Sequence, residues 1–368
     1  MDSRLIGLAR NLLDYSLALQ PGDKVLIEGE TGCEELVQVL ISEAYARGAM
    51  PFFELVDAPV RRSQLLGACR EQLDLEVDWR LERIKAMDAR LYILAGQNMA
   101  EFADVPADKM QQWDLARKPL MEEVLRKRWS LLRFPTAAAA QSAGMSSEGF
   151  RDFCYRVCSI DHSAMDRAMD PLVELMQRTD VVRVVGPGTD LSFSIKGLPA
   201  IKCSGKLNVP DGEVFTAPVK DSAEGVITYN TPSVMDGVTC DKVCLTFREG
   251  RIVESTGTPR DKIESVFETD EGARYLGEFA LGVNPLIVDP MKETLYDEKI
   301  RGSLHLTPGN AYEMADNGNR SAVHWDLVLI QTPEWGGGEI WFDGVLVRKD
   351  GRFVPPELQA LNPEHLGG

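Results

Sequence analysis

Only four histidines occur in this 368-residue chain, and two of them, His305 and His324, fall within residues 297–330. His305 sits between Leu304 and Leu306, in an alternating run that Pro308-Gly309 closes. His324 and Asp326 flank Trp325 at the head of the run Asp326-Leu327-Val328-Leu329-Ile330. Residues two apart on a strand point to one face, so His324 and Asp326 aim together. An imidazole and a carboxylate converging from one strand suit a borderline cation such as Zn²⁺, Co²⁺ or Fe²⁺. A buried histidine bonded to a neighbouring aspartate explains an isolated H-x-D equally well, so the other acidic positions have to decide.

Three glutamates stand in unusual contexts. Glu213 follows Pro210-Asp211-Gly212 and enters the run Val214-Phe215; a solvated turn residue is its ordinary explanation. Glu278 stands alone in the apolar, glycine-flanked segment Leu276-Gly277-Glu278-Phe279-Ala280-Leu281-Gly282. A carboxylate buried there needs a partner, either a metal or Arg274. Glu298 lies ahead of the His305 strand between Asp297 and Lys299, where a surface charge cluster is the plainer reading. Taken with His305, His324 and Asp326, these make a carboxylate-rich set with few imidazoles. Such a set can hold two cations about 3.5–4 Å apart that share a hydroxide and polarise a carbonyl, the chemistry of amide hydrolysis. Tyr312, past a Pro-Gly turn from His305, could return to the pocket and donate its phenol to an oxyanion.

The elements that must position these groups fall into two parts. Apolar residues at helical spacing run from Ser3 to Leu19, and Pro21-Gly22 stops them. The strands Lys24–Glu28 and Pro51–Val56 flank a helix over Glu34–Arg47 that ends at Gly48, which predicts a parallel pair. A helix near Ile84, a strand Leu91–Ala95, another helix and a strand Trp129–Phe134 complete an open α/β sheet. The turn after the first strand, G-E-T-G-C-E, lacks both the G-x-G-x-x-G spacing and a P-loop lysine, and its glutamates repel phosphate. Pro135-Thr136 opens a small-residue stretch, followed by helices over 146–158 and 165–177. From Val181 the pattern becomes short β-rich runs between Gly, Pro and Asp turns, with a helix over Asp261–Tyr275. The run Glu339–Val347 and Arg352–Val354 form a hairpin about residues 349–351, and the tail after Pro355 reads as a surface extension. The expected fold is therefore α/β: an N-terminal open α/β sheet domain, residues 1–175, and a β-rich α+β domain, residues 176–368, that carries the metal site.

Composition excludes several classes of function. The net charge of −17 argues against a nucleic-acid backbone as partner. No window approaches 18 consecutive apolar residues, so no membrane helix is expected. The N-terminus carries charges where a signal peptide needs an apolar core, so a cytoplasmic protein is expected. Seven scattered cysteines fit reduced thiols; Cys154/Cys158 and Cys240/Cys244 are spaced by four and read as plain buried thiols.

Four motifs, N-x-P-x-G-E-V-F at Asn208–Phe215, L-G-E at Leu276–Glu278, H-x₆-Y at His305–Tyr312 and S-A-x-H-W-D at Ser321–Asp326, resemble the thermophilic aminopeptidase family. The likeness extends to Arg128-Trp129, Pro135-Thr136, Gly188–Leu191 and the I-W-x-D-G hairpin. The resemblance implies a homodimeric metallo-aminopeptidase with two divalent ions, Zn²⁺ or Co²⁺, acting on peptides with a free N-terminus in an internal cavity of the C-terminal domain. By matching motif it implies Glu213, Glu278, His305, His324 and Asp326 as metal ligands and Tyr312 as the catalytic tyrosine, with Glu278 or Glu298 relaying the proton. Two departures stand out. The family often has D-E-N-A-x-x-H, with Glu five residues before the first His, whereas Glu298 is seven before His305 in D-E-K-I-R-G-S-L-H. L-T-P-G also replaces the family's A-L-G. Glu298 is retained as ligand or base.

Two competing readings remain. His305, His324 and Asp326 alone form a legal two-histidine-one-carboxylate site for one Fe²⁺, as in a ring-cleaving dioxygenase. Such a site has no need of Glu213 or Glu278. A decayed, purely peptide-binding module is the other, and metal-competent residues at every matching position argue against it.

Overall fold

The computed structural model describes residues 2–366. The chain divides into two compact units, residues 1–159 with 205–210 and residues 160–204 with 211–368. The first is built on a five-stranded parallel sheet in the order Met50–Val56, Lys24–Glu30, Ala89–Leu94, Arg128–Arg133, Asn208–Val209. Val25, Leu26 and Ile27 in succession are buried, as a central parallel strand covered on both faces requires. The covering helices include Glu34–Ala46, Arg70–Lys85 and Ala107–Leu125. The N-terminal helix is regular over Ser3–Asn11 and continues as a π turn, Leu12–Ser16.

The second unit is β-rich. A nine-stranded sheet is antiparallel throughout and includes the strands Val181–Gly186, Thr189–Ser194 and Val238–Arg248. The other sheet has five antiparallel strands in the order Leu327–Ile330, Ser303–Pro308, Leu276–Gly282, Glu213–Thr216, Ile201–Cys203. Register decides what each of its faces carries. His305 pairs with Ala280 and Val328, Glu213 with Gly282 and Cys203, and Phe215 with Ala280. Paired residues share a face, and the side chains alternate along each strand. One face therefore holds Glu213, Glu278, His305 and Thr307. The other holds Val214, Phe279, Leu281, Leu304, Leu306, Leu327 and Leu329, all buried in the main apolar core of this unit. That core anchors the sheet so that the opposite face can be polar.

Three local expectations are corrected. The helix over Asp261–Tyr275 spans only Arg260–Phe267; the Asp270 carboxylate accepts the Ala273 N–H at 2.9 Å and starts a separate 3₁₀ turn, Glu271–Arg274. The run Glu339–Val347 is already broken by a turn at Asp343-Gly344, both with positive φ, the D-G signal of a tight hairpin. The tail after Pro355 is no loose extension: Leu358 and Leu361 join the core, and Asn362 bonds both the N–H and the C=O of Phe353. All seven cysteines are free thiols; Cys154, Cys158 and Cys240 are buried, and Cys244 is half-buried. Among the described residues no helix is long and apolar enough to cross a membrane.

Gly277 shows how tightly the polar face is supported. A Cβ there would lie 2.4 Å from the Asn310 carbonyl oxygen and 2.5 Å from that of Gly309. The ladder register slips between Leu276 and Glu278 at this point, and the slip re-aims the following side chain. Gly277→Ala is expected to cost about 1–3 kcal/mol in chemical denaturation, as overpacking does. Gly7→Ala, which meets nothing within 4 Å and lies inside the helix Ser3–Asn11, serves as its control and should stabilise by about 0.5–1 kcal/mol.

Candidate metal centre

The expected residues converge. His305 Nε2 lies 3.1 Å from Glu278 Oε1 and 3.6 Å from Glu213 Oε2. His324 Nε2 lies 3.8 Å from Glu278 Oε2 and 3.4 Å from Asp326 Oδ1. Donor atoms of Glu213, Glu278 and His305 fall within 4.8 Å of one another, as do those of Glu278, His324 and Asp326, and those of Glu298, His305 and Asp326. Glu278 belongs to two of these groups. The Tyr312 ring stacks on His324 with centroids 4.6 Å apart and meets Phe215 edge-on at 6.1 Å, with about half of its surface exposed. Glu298 comes to the cluster in spite of its altered spacing. The turns over residues 298–302, ahead of the strand that starts at Ser303, take up the additional residues.

Three of these groups are oriented from behind. His324 Nδ1 faces the Asn310 carbonyl at 2.9 Å; a carbonyl only accepts, so Nδ1 carries the proton and Nε2 keeps its lone pair for a ligand. Thr307 donates its hydroxyl to Asp326 Oδ1 at 2.6 Å. Asp297 accepts the Met291 N–H at 2.6 Å and so fixes the turn that presents Glu298. Arg274, the other partner considered for Glu278, reaches the Ile252 carbonyl instead.

Two groups that matter carried no signal in the local sequence. Lys299 is fully buried, with Nζ 2.5 Å from Glu213 Oε1, 2.7 Å from Glu298 Oε1 and 3.5 Å from Asp211 Oδ1. Asp211, which read as a turn residue, is fully buried as well. The electrostatics follow from this crowding. Burial raises the Glu213 carboxyl, and Glu298 further still, against the pull of Lys299. Burial works to lower the Lys299 ammonium, but Glu213, Glu298 and Asp211 outweigh it and raise it well above its usual value. Burial also opposes charge on His305; its hydrogen bond to Glu278 and the nearby Glu213 carboxylate reverse this and lift the imidazole to about 10. Burial disfavours the Asp326 carboxylate, yet His324 and His305 hold it below its usual range. The common cause is an excess of buried carboxylate over buried cation.

The profile of the thermophilic metalloprotease family (M29) matches residues 1–352. The chain belongs to this family. Among its relatives, aminopeptidase T of Thermus thermophilus is 26% identical over 400 residues, covering 95% of each chain. Aminopeptidase PepS of Streptococcus thermophilus is 24% identical over 407 residues, or 94% of this chain and 95% of the relative. The solved structure of wild-type AmpT from Thermus thermophilus superposes with a TM-score of 0.79 over 96% of this chain and 99% of that one, at 23% identity, which establishes the shared fold. Membership of this metallo-aminopeptidase family makes the chain a hydrolase of peptide bonds. It gives no support to the one-iron dioxygenase. Glu213 and Glu278, which that site would not need, lie inside the cluster.

The residues present fit the divalent metal that the family implies. Glu213 Oε2 and Glu278 Oε2 are buried without a hydrogen-bond partner, both beside an imidazole nitrogen. Buried carboxylate oxygens left bare are costly, and a cation among them removes the cost. A cleft of about 380 Å³ in the first unit is unrelated to this chemistry; its Arg61, Arg80 and Arg90 are already matched by Glu76 and Glu28. Groups that orient ligands matter nearly as much as the ligands. Thr307→Val, which removes the bond to Asp326, is expected to weaken divalent-metal affinity about 10–100-fold in a chelator competition titration. Unchanged affinity would take Thr307 out of the site.

Proposed function

We propose that this protein removes N-terminal residues from peptides with two divalent ions, Zn²⁺ or Co²⁺, held in the second unit, and that it works as a cytoplasmic homodimer. The observation that carries this reading is the pair of donor groups that share Glu278: Glu213 and His305 on one side, His324 and Asp326 on the other. Glu213, Glu278 and His305 would hold one ion, and Glu278, His324 and Asp326 the other. When bound, the ions supply Lewis acidity to the scissile carbonyl and acidify the attacking water.

The protein's own groups supply the rest. Glu278 turns its two oxygens to two different imidazoles, so it serves as the shared ligand. Glu298 is then the carboxylate best able to relay a proton, from the attacking water to the departing amine. Its Oε1 is held by Lys299, which keeps its position without occupying both oxygens. Tyr312, half-exposed and stacked on His324, has its hydroxyl free to meet the oxyanion that forms at the carbonyl. The acidic surroundings favour a substrate that enters with a protonated α-amine, and the net charge of −17 disfavours nucleic acid.

An aminoacyl-arylamide panel tests the proposal. Hydrolysis is expected to fall at least about 10²-fold on chelation and to return with Zn²⁺ or Co²⁺, with two ions per chain by elemental analysis. Glu278→Gln is expected to lower the metal content and to reduce hydrolysis by about 10²-fold or more. Turnover that survives chelation, or Glu278→Gln with full metal and full activity, would contradict this assignment.

A further inference from the structure

Lys299 has no place among the donors, yet it is the most enclosed cation in the cluster. Its backbone is pinned on both sides: the Lys299 N–H donates to the Tyr296 carbonyl at 3.1 Å, and its own carbonyl accepts the Asn284 N–H at 3.0 Å. The fully buried Asn284 also donates Nδ2 to the Asp211 carbonyl at 2.8 Å. One asparagine thus ties together the segment that brings the ammonium and the segment that brings Asp211 and Glu213. Gly212, at φ +139°, permits the contact; a Cβ there would lie 2.9 Å from the Asn284 Cβ.

The ammonium uses a particular atom of each glutamate. It takes Oε1 of Glu213 and Oε1 of Glu298, while Glu213 Oε2 stays bare and points toward His305. A carboxylate gripped in this way has one oxygen left to offer. Charge points the same way. Asp211, Glu213, Glu278, Glu298 and Asp326 carry five negative charges when ionised. Two dications and one ammonium carry the matching positive charge.

We propose that Lys299 is a positioning residue, a fixed cation that grips Glu213 and Glu298 by one oxygen each, so that Glu213 can reach a metal, and Glu298 the attacking water, only through its other oxygen. This rests on the metallopeptidase reading above. It deepens that reading, because it sets the coordination number of the ions through a residue that touches neither. Without the ammonium, Glu213 is free to chelate through both oxygens and Glu298 is free to turn onto an ion, so the ions gain ligands. Co²⁺ reports this directly, since four- and five-coordinate Co²⁺ absorbs visible light several-fold more strongly than six-coordinate Co²⁺.

The test uses the full-length protein loaded with Co²⁺. Lys299→Met, close in shape and uncharged, is expected to lose most of the visible absorption per bound ion. Lys299→Gln, which keeps a donor, should recover part of that absorption. A role in packing alone would leave the spectrum of the folded variant unchanged, and that result would overturn the proposal. If neither variant folds, the crystal structure of the Co²⁺-loaded wild type decides. Lys299 still on Glu213 and Glu298, with Glu213 giving the ions one oxygen, supports the proposal; a displaced Lys299 or a two-oxygen Glu213 overturns it. A wild type that takes up no Co²⁺ overturns the metallopeptidase reading together with this one. A wild type that loads Co²⁺ beside a Lys299→Met of identical spectrum overturns this inference alone.

Discussion

The governing constraint on the second unit is the crowding of carboxylates away from water. Asp211, Glu213, Glu278, Glu298 and Asp326 lie close enough to share cations and donors, and their side chains are at most 13% exposed. Charges so placed lose hydration that they recover only through cations or hydrogen-bond donors. Every unusual feature nearby answers that need. Lys299 is buried because three carboxylates surround it, Thr307 turns its hydroxyl to Asp326, and both imidazoles present Nε2 to carboxylates. The need is not fully met within the chain, which is why bare oxygens remain on Glu213 and Glu278. A site that binds a dication strongly has to be left short of positive charge in this way.

The sheet makes such crowding tolerable by separating its two faces. The apolar face brings Phe279, Leu281, Leu304, Leu306, Leu327 and Leu329 into the main core of the unit. Each leucine or phenylalanine buried this way contributes about 1.5–3 kcal/mol, which works against the cost of the polar side. Because the side-chain period is two, the residues that fill the core also fix which face Glu278 and His305 take. A slip of one residue would drive the carboxylate into the leucines. Ala280 and Gly282, between Glu213 and His305 in the ladder, keep the polar face open. The metal-competent geometry is therefore enforced by apolar packing on the far side of the same strands.

What the sequence made legible follows from the same periodicity. His324 and Asp326 sit two apart, and Glu278 stands alone among apolar residues, so both signals were local. The parallel strand–helix–strand order of the first unit was local as well. Lys299 and Asp211 were illegible for the opposite reason. A lysine beside Asp297 and Glu298, or an aspartate between proline and glycine, looks solvated until the chain is folded. Their burial depends on Asn284, more than ten residues from Lys299 and more than seventy from Asp211. The altered spacing of Glu298 to His305 said little by itself, since turns between the two can take up extra residues without moving the carboxylate. The tail after Pro355 read as surface because Leu358 and Leu361 are the only buried apolar residues in its described part, too few to show a period.

These observations separate what this family site can vary from what it must keep. The donors on the strands are fixed by register, and register is fixed by the core, so a change there disturbs both the core and the metal. The segment from Asn284 to Gly302 is under a weaker constraint, because it reaches the cluster from outside the sheet. It is here that the chain departs from the D-E-N-A-x-x-H pattern and carries a lysine directly after the glutamate. A buried ammonium at that place is admissible only among carboxylates, and Glu213, Glu298 and Asp211 supply them. A cluster of this kind is therefore open to change from its periphery, with Glu213, Glu278, His305, His324 and Asp326 left in place.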